Sequence, residues 1–213
     1  MNPVDIAEPL RSRWSPSVFD ASHVLSDAEV TRLLEAAQWA PSAGNRQPWR
    51  YLVALRGSAA HEALVPHLSR GNSGWVPRAS VVLLSVVELG EDGETGDERK
   101  DRWIPMHDVG QASAHLTLQA HAMGLHAHQF AGFDPAAVAA AFGVPDHARV
   151  LAGTAVGMRG DPAEVPERDA EREQRERSRR PLAETAYGAR WGEPWSGLDP
   201  SGPVSAGAPA AGA

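Results

Sequence analysis

The sequence contains no cysteine, and this absence removes several kinds of chemistry. Without a thiol, the chain forms no disulfide, has no cysteine nucleophile, and offers no sulfur ligand to zinc or to an iron–sulfur cluster. Lysine is almost as scarce, because Lys100 is the single lysine and the rest of the 20 basic residues are arginines. We interpret the arginine bias as a reflection of genomic base composition rather than of function.

The chain also lacks the features of nucleic-acid-binding and membrane proteins. Its 213 residues carry a formal net charge of −7, which disfavours general binding to nucleic acid or to an anionic membrane surface. No apolar run approaches the roughly 18 residues that a membrane-spanning helix needs. The N-terminus has no basic-then-apolar signal pattern. We therefore expect a cytoplasmic protein with no nucleic-acid or membrane partner, built mainly from one domain.

Helix and strand patterns alternate along the chain. The predicted helices are 3–13, 26–39, 58–68, 106–124 and 135–142, and the predicted strands are 50–56, 79–87, 126–130 and 149–158. Ser26 and Glu29 form a capping box that fixes the start of the second helix. The nearly continuous branched run at 79–87 predicts a central strand buried on both faces. This alternation predicts a layered α/β or α+β domain.

Local signals also mark the ends of two later helices. Gly124 suits a left-handed C-cap after helix 106–124, whose apolar stripe is Val109, Ala112, Leu116, Ala120 and Met123. Asp134 is the expected N-cap of helix 135–142, Pro135 its first residue, and Gly143 its end.

Three segments look solvated. Residues 88–102 are rich in acids and glycine, which indicates a loop or lid rather than a core element. Residues 164–180 alternate in charge with Glu–Arg pairs four apart, which predicts a weakly helical, solvated segment. From about 196 the chain is Gly, Pro, Ser and Ala. We therefore expect a domain over 1–195 and a disordered tail over 196–213.

The candidate functional residues are not those of common hydrolases or nucleotide-binding folds. The chain has no G-x-S-x-G, H-E-x-x-H, Walker or G-x-G-x-x-G motif. His121, His126 and His128 lie close enough in sequence to consider a metal site. However, no further ligand stands at a convincing spacing. Ordinary buried or surface histidines are the favoured interpretation, and we expect no metal.

Two other features leave alternatives open. Arginines occur at both ends of the domain, at Arg11 and Arg13 and again at Arg177, Arg179 and Arg180, which suits either a phosphate ligand or a solvated ion-paired face. Taken alone, the solvated face is the favoured interpretation. The stretch 40–50, APSAGNRQPWR, cannot be a helix and presents Asn45 and Gln47 on a loop. A functional loop and a structural turn are equally supported there.

Four motifs occur in order along the chain. They are R-x-S-P-x-V-F-D at 13–20, A-P-S-x-x-N-x-Q-P-W at 40–49, D-x-G-x-A at 108–112 and R-x-R-R-P-L-x-E at 177–184; the third is followed by Gly124-Leu125 and Gly132-Phe133-Asp134. In this order and spacing the chain resembles the FMN-dependent nitroreductase family. The resemblance implies an α+β fold whose central mixed, mainly antiparallel sheet is flanked by helices. It also implies a homodimer with two FMN sites at its interface.

The resemblance assigns cofactor contacts but no catalytic side chain, because flavin N5 carries the chemistry. It implies that Arg13 and Ser15 bind the phosphate and ribityl end, while Trp14 contributes a backbone or ring contact. Arg177 and Arg179 would close over the same phosphate. It also implies that Pro41, Ser42, Ala43 and Asn45 of the partner subunit lie against the isoalloxazine ring. Asn72 would reach the pyrimidine edge, and N–H groups around Ala131 and Gly132 would face N5 and O4. Ser17 would lie near N1 and O2.

The chain departs from the family pattern at three positions. Ser17 stands where a basic residue is common, Trp75 where some members have another, and Ala43 where many have serine. The resemblance implies ping-pong hydride transfer from NADH or NADPH to a nitroaromatic, quinone or similar acceptor. Two alternatives stay open: a flavin-dependent dehydrogenase or oxidase of a cellular metabolite that uses oxygen, and a non-catalytic flavin-binding dimer.

Overall fold

The computed structural model of the protein describes residues 6–89 and 97–198, which fall into two compact units. One unit spans 13–173, and the other comprises, within the described residues, 6–12 and 174–198. No helix within these described ranges is both long enough and apolar enough to cross a membrane. The predicted tail lies outside the described residues from 199 onward, and the single domain over 1–195 stays a prediction.

The larger unit contains a four-stranded sheet in which every neighbouring pair is antiparallel. Its strands are β1 (Trp49–Leu55), β2 (Val81–Glu88), β3 (His126–Phe130) and β4 (Ala148–Gly157), in the order β1-β2-β4-β3. The predicted α+β class with a mainly antiparallel sheet is confirmed. The four described strands include no parallel pair, so the expected mixed character is not seen in this sheet.

Six α-helices accompany the sheet within the described residues. They are α1 (Glu8–Ser12), α2 (Asp27–Gln38), α3 (Ala59–Leu64), α4 (Ile104–Ala122), α5 (Pro135–Phe142) and α6 (Glu167–Glu173). The predicted capping box of α2 is confirmed, because the Ser26 hydroxyl accepts from the Glu29 N–H while the Glu29 carboxylate accepts from the Ser26 N–H. Gly124 and Gly143 end α4 and α5 at φ values of 75° and 63°, as predicted.

The core has two layers, because alternate residues of β2 point to opposite faces of the sheet. Val81, Leu83 and Val87 pack with α2 and α4, where the predicted stripe of α4 is buried from Val109 to Ala120 and Met123 is partly buried. Val82, Leu84 and Val86 face the other layer, which includes Leu64 of α3 and Val138 of α5. The prediction that β2 is central and buried on both faces is confirmed.

Two segments predicted to be solvated contribute buried groups. Residues 90–96 of the acidic stretch lie outside the described residues, but Asp101 is buried in a π-helical turn, Arg99–Trp103, that leads into α4. In the second segment Glu167–Glu173 is α-helical, and Asp169 and Glu173 are buried. The expectation of fully solvated segments is therefore wrong at these residues. The periodicity of a segment does not reveal hydrogen-bond partners that lie far away in the chain.

Candidate functional site

The segment Arg13–Ser17 is attached to one buried carboxylate at the end of α6. The indole Nε1 of Trp14 donates to Glu173 Oε1 at 2.9 Å, and the N–H of Ser17 donates to Glu173 Oε2 at 2.7 Å. Arg159 Nε lies 2.7 Å from Oε1 and completes an ion pair with Glu173, whose side chain is 1% exposed. Because a buried charge is costly unless it is paired and hydrogen-bonded, these three donors explain how Glu173 is accommodated.

The same segment is held at Pro16 by a histidine of β3. His128 Nδ1 lies 2.7 Å from the Pro16 carbonyl oxygen. Since a carbonyl only accepts, Nδ1 must carry the hydrogen. Burial lowers the pKa of His128, which outweighs the opposing effects of the Pro16 carbonyl and of Glu173. In the described residues no group of three His, Asp or Glu is arranged to hold a metal ion.

Trp75 connects His128 to Asn72. The rings of Trp75 and His128 stack with their centroids 4.3 Å apart, and the indole Nε1 of Trp75 donates to Asn72 Oδ1 at 3.2 Å. Trp75 is 2% exposed and belongs to the core between the sheet and α3. Trp75 therefore lies in the core, does not face solvent, and orients the Asn72 amide through this hydrogen bond.

Asn72 is bonded in turn to the carbonyl of Gly132. Its Nδ2 donates to Gly132 O at 3.0 Å, and the Ser69 N–H donates to the same oxygen at 2.9 Å. A Cβ on Gly132 would lie 2.5 Å from Asn72 Nδ2 and 2.6 Å from Ser69 Oγ, so any larger residue here would have to displace these side-chain atoms. Among the described residues, the N–H groups of Ala131 and Gly132 have no hydrogen-bond acceptor. Two donors are thus left available beside a fixed amide.

The loop 40–48 has an unusual backbone. Gly44, Asn45 and Gln47 have φ values of 59°, 55° and 50°, in the left-handed region that non-glycine residues rarely adopt. Asparagine tolerates this region better than most residues. Gln47 Nε2 donates to Asn45 Oδ1 at 3.1 Å, and the Gln47 N–H donates to Ser42 Oγ at 3.1 Å. These bonds fix the turn.

A buried aspartate of α4 holds this loop against the unit. The N–H of Ala43 donates to Asp108 Oδ2 at 2.9 Å. Asp108 is the aspartate of the D-x-G-x-A motif, so a hydrogen bond joins the second and third motifs. Pro41, Ala43 and Asn45 are exposed and Ser42 is partly exposed.

The structure connects some of the predicted site residues and leaves others apart. The segment 14–17, Asn72 and Gly132 are joined through His128 and Trp75 within one unit. Among the residues that the structure describes, no hydrogen bond joins the loop 41–45 to Asn72 or Gly132. Arg13 and Ser15 are half-buried, and their phosphate role is untested.

Arg177 and Arg179 belong to the other unit. Arg177 donates to the Leu10 carbonyl at 3.1 Å and also bonds to the Arg11 carbonyl. Arg179 NH1 donates to the carbonyl of Ser178 at 2.7 Å. Their predicted role on the phosphate is likewise untested.

Sequence reasoning missed the residues that hold the candidate contacts. Asp108 stands out in the sequence because it belongs to a motif, but the sequence does not indicate its bond to Ala43. Glu173 does not stand out, because its spacing from Arg177 suggested a surface pair whereas its ion-pair partner in the larger unit is Arg159. The sequence favours an ordinary buried or surface histidine at His128, and nothing in it indicates the bond to the Pro16 carbonyl.

Comparison with known proteins adds an independent line of evidence. The model of the Nitroreductase family matches residues 10–73 and 58–158. A Mycolicibacterium smegmatis protein, named only as an uncharacterized 15.4 kDa protein in the ask 5′ region, is 42% identical over 153 residues, 68% of this chain and 99% of that protein. An NADH dehydrogenase of Thermus thermophilus is 32% identical over 159 residues, 60% of this chain and 74% of that protein. A crystal structure described as an oxidoreductase containing FMN matches with a TM-score of 0.79 at 33% identity, covering 90% of this chain and 95% of that chain.

Proposed function

The chain belongs to the nitroreductase family, and on that premise we propose which residues hold its flavin and which acceptors it serves. Its general activity is that of an FMN-dependent NAD(P)H oxidoreductase. Bound FMN supplies two-electron redox chemistry, in which a hydride taken from NADH or NADPH at N5 passes in a ping-pong cycle to a nitroaromatic, quinone or similar acceptor. No side chain of this chain acts as acid, base or nucleophile in the proposal.

One observation supports the proposed contacts to the flavin ring: the available N–H groups of Ala131 and Gly132 lie beside the fixed amide of Asn72. Preorganised N–H donors stabilise negative charge that develops nearby, at no cost of reorganisation. Asn72 keeps one amide hydrogen and one carbonyl lone pair beyond its protein bonds, which suits the alternating donors and acceptors of a pyrimidine edge. These groups fit the polar edge of a flavin ring.

In this proposal, arginine side chains bind the flavin phosphate. Arg13 and Ser15 bind the phosphate and ribityl end. The hydrogen bonds of Trp14 and Ser17 to Glu173 hold this segment in place. Arg177 and Arg179 supply further charge to the same phosphate. Guanidinium groups suit this task because they present paired donors to phosphate oxygens.

The proposal also requires a homodimer. Pro41, Ser42, Ala43 and Asn45 of the partner subunit lie against the ring, and the loop that carries them is mostly exposed on a single chain. Asp108 gives this exposed loop a defined shape through the Ala43 N–H. A preformed loop loses less conformational entropy when it closes over a ligand.

The absorption spectrum of the purified protein, recorded anaerobically before and after NADH and NADPH, tests the function. We expect a yellow protein whose flavin band bleaches with at least one nicotinamide and returns when menadione or a nitroaromatic is added. A flavin band that is unchanged by both nicotinamides, but bleaches with a cellular metabolite and recovers in air, would identify a dehydrogenase or oxidase instead. A yellow protein inert to every donor would identify a flavin-binding dimer without turnover.

A further inference from the structure

We propose that Glu173 is a positioning residue that holds the Arg13–Ser17 segment in the conformation that binds the flavin phosphate. This inference rests on the proposed function, because it takes Arg13 and Ser15 as phosphate contacts. Glu173 itself touches no ligand in the proposal. It acts through the backbone and through the side chain of Trp14.

The first support is the set of groups that Glu173 gathers. A carboxylate only accepts hydrogen bonds, and here its two oxygens receive the Trp14 indole, the Ser17 N–H and the Arg159 guanidinium. Bonds to an ionised acceptor are shorter and stronger than neutral ones. Because a buried ion pair adds little net stability in general, its clearer effect is to fix geometry.

The second support is where these bonds fall in the sequence. Trp14 lies between Arg13 and Ser15, so anchoring its indole restrains both neighbours. Ser17 is anchored on the far side, and the Pro16 carbonyl is held by His128. Three of the four residues from 14 to 17 are thus fixed before any ligand arrives, which reduces the entropy lost on binding.

The third support is electrostatic. A lone carboxylate close to a phosphate-binding segment would repel the phosphate, but Arg159 pairs with Glu173 and balances its charge. The pair therefore orders the segment without placing an uncompensated negative charge beside it. Arg172, the preceding residue of α6, donates to the Gly71 carbonyl at 3.0 Å. The end of α6 thus contacts both the 13–17 segment and the loop that leads to Asn72.

The informative substitution is Glu173→Gln. It keeps the size of the side chain but replaces one acceptor oxygen by an NH₂ donor. Both oxygens of Glu173 receive donors, so in either orientation the new NH₂ faces a donor and at least one bond to the segment is lost. The matched control is Glu171→Gln, an exposed position on the same helix.

The test measures the affinity of the full-length protein, stripped of flavin, for FMN and for riboflavin, which lacks the phosphate. We expect Glu173→Gln to weaken FMN binding by about tenfold or more, equivalent to 1.4 kcal/mol, and to change riboflavin binding by less than about threefold. Glu171→Gln should match the wild type with both ligands. Equal weakening of both ligands, or a lower melting temperature with unchanged affinities, would overturn the proposal and leave Glu173 a structural residue.

Trp14→Phe keeps the test decisive if Glu173→Gln does not fold. It removes only the indole donor, and Glu173 retains Ser17 and Arg159. We expect a smaller loss, about threefold to tenfold, again for FMN and not for riboflavin; unchanged FMN affinity overturns the proposal. A wild-type protein that binds no FMN would reject the proposed function itself, whereas wild-type binding with unaltered variants rejects only the role of Glu173.

Discussion

Two buried acids show how individual side chains fix irregular segments of the backbone by accepting hydrogen bonds. Asp108 accepts the N–H of Ala43, and Glu173 accepts the N–H of Ser17. Each acid lies on a helix and each N–H lies on an irregular segment that carries candidate flavin contacts. A hydrogen bond to a charged group is worth about 1.5–3 kcal/mol, which is enough to select one loop conformation over its competitors.

Single arginines should control the affinity for the cofactor. We expect Arg13→Ala and Arg179→Ala each to weaken FMN binding by roughly 1.5–3 kcal/mol, because each removes charge-assisted hydrogen bonds to the phosphate. Isothermal titration of the flavin-free protein measures this. Arg168→Ala, an exposed arginine of α6, is the control and should bind FMN as the wild type does. Full affinity in both test variants would show that the arginines form a solvated face.

The left-handed backbone at Asn45 determines how its role should be tested. A bulky residue at φ 55° would be strained, so Asn45→Gly removes the amide without adding strain. We expect the melting temperature of the flavin-free protein to hold, while flavin affinity or the anaerobic reduction rate falls about tenfold, since 1.4 kcal/mol is a factor of ten. Gln47→Gly, at a similar φ, loses the same bond to Asn45 Oδ1 but keeps the Asn45 amide, so it is the control for an effect on the turn alone. Normal flavin binding in a destabilised Asn45→Gly variant would identify a structural turn.

The two buried histidines of β3 are expected to contribute to the pH dependence of stability. Burial lowers the pKa of both His126 and His128 below the ordinary value of 6.5. The unfolded chain therefore binds more protons than the native one below about pH 6.5, so stability is present above that pH and is lost as the pH falls through the native pKa values. Melting temperatures measured from pH 7.5 to 5.0 should decline.

Two substitutions test whether a histidine of β3 causes this decline in melting temperature. His128→Gln keeps a donor for the Pro16 carbonyl but does not titrate, so the decline should become shallower. His107→Gln, at an exposed position of α4, should leave the decline as in the wild type. A His128→Gln variant with the full wild-type pH dependence would mean that His128 does not contribute to it.

The elements that sequence predicts well are those whose boundaries are set locally. Helix α5 and strand β3 begin and end at the predicted residues because Asp134, Gly143 and Gly124 act on their immediate neighbours. The end of α6 was not predictable, since its stability depends on donors from Trp14 and Arg159. The core position of Trp75 has the same explanation: its Asn72 and His128 contacts are set by the fold.

The whole molecule is expected to be a dimer. Trp39 at the end of α2 and Trp103 before α4 are 80% and 61% exposed on the single chain, and Trp39 directly precedes the loop 40–48. Light scattering should give about twice the mass of one chain. Trp39→Glu should weaken the dimer by placing a charge in the interface, whereas Val24→Glu, another exposed apolar position, should not. A monomer that binds FMN fully would contradict the shared flavin site.

The long sequence separation between Trp14 and Glu173 bears on the order of events during synthesis. Glu173 stands 159 positions after Trp14, a stretch that takes roughly 8 to 32 s to translate at about 5–20 residues per second. All four strands precede Glu173 in the sequence, so every strand is synthesised before the acid. The N-terminal segment therefore cannot gain this anchor until the last residue of its unit has been synthesised. Until then, the bonds that Trp14 and Ser17 make to Glu173 cannot form.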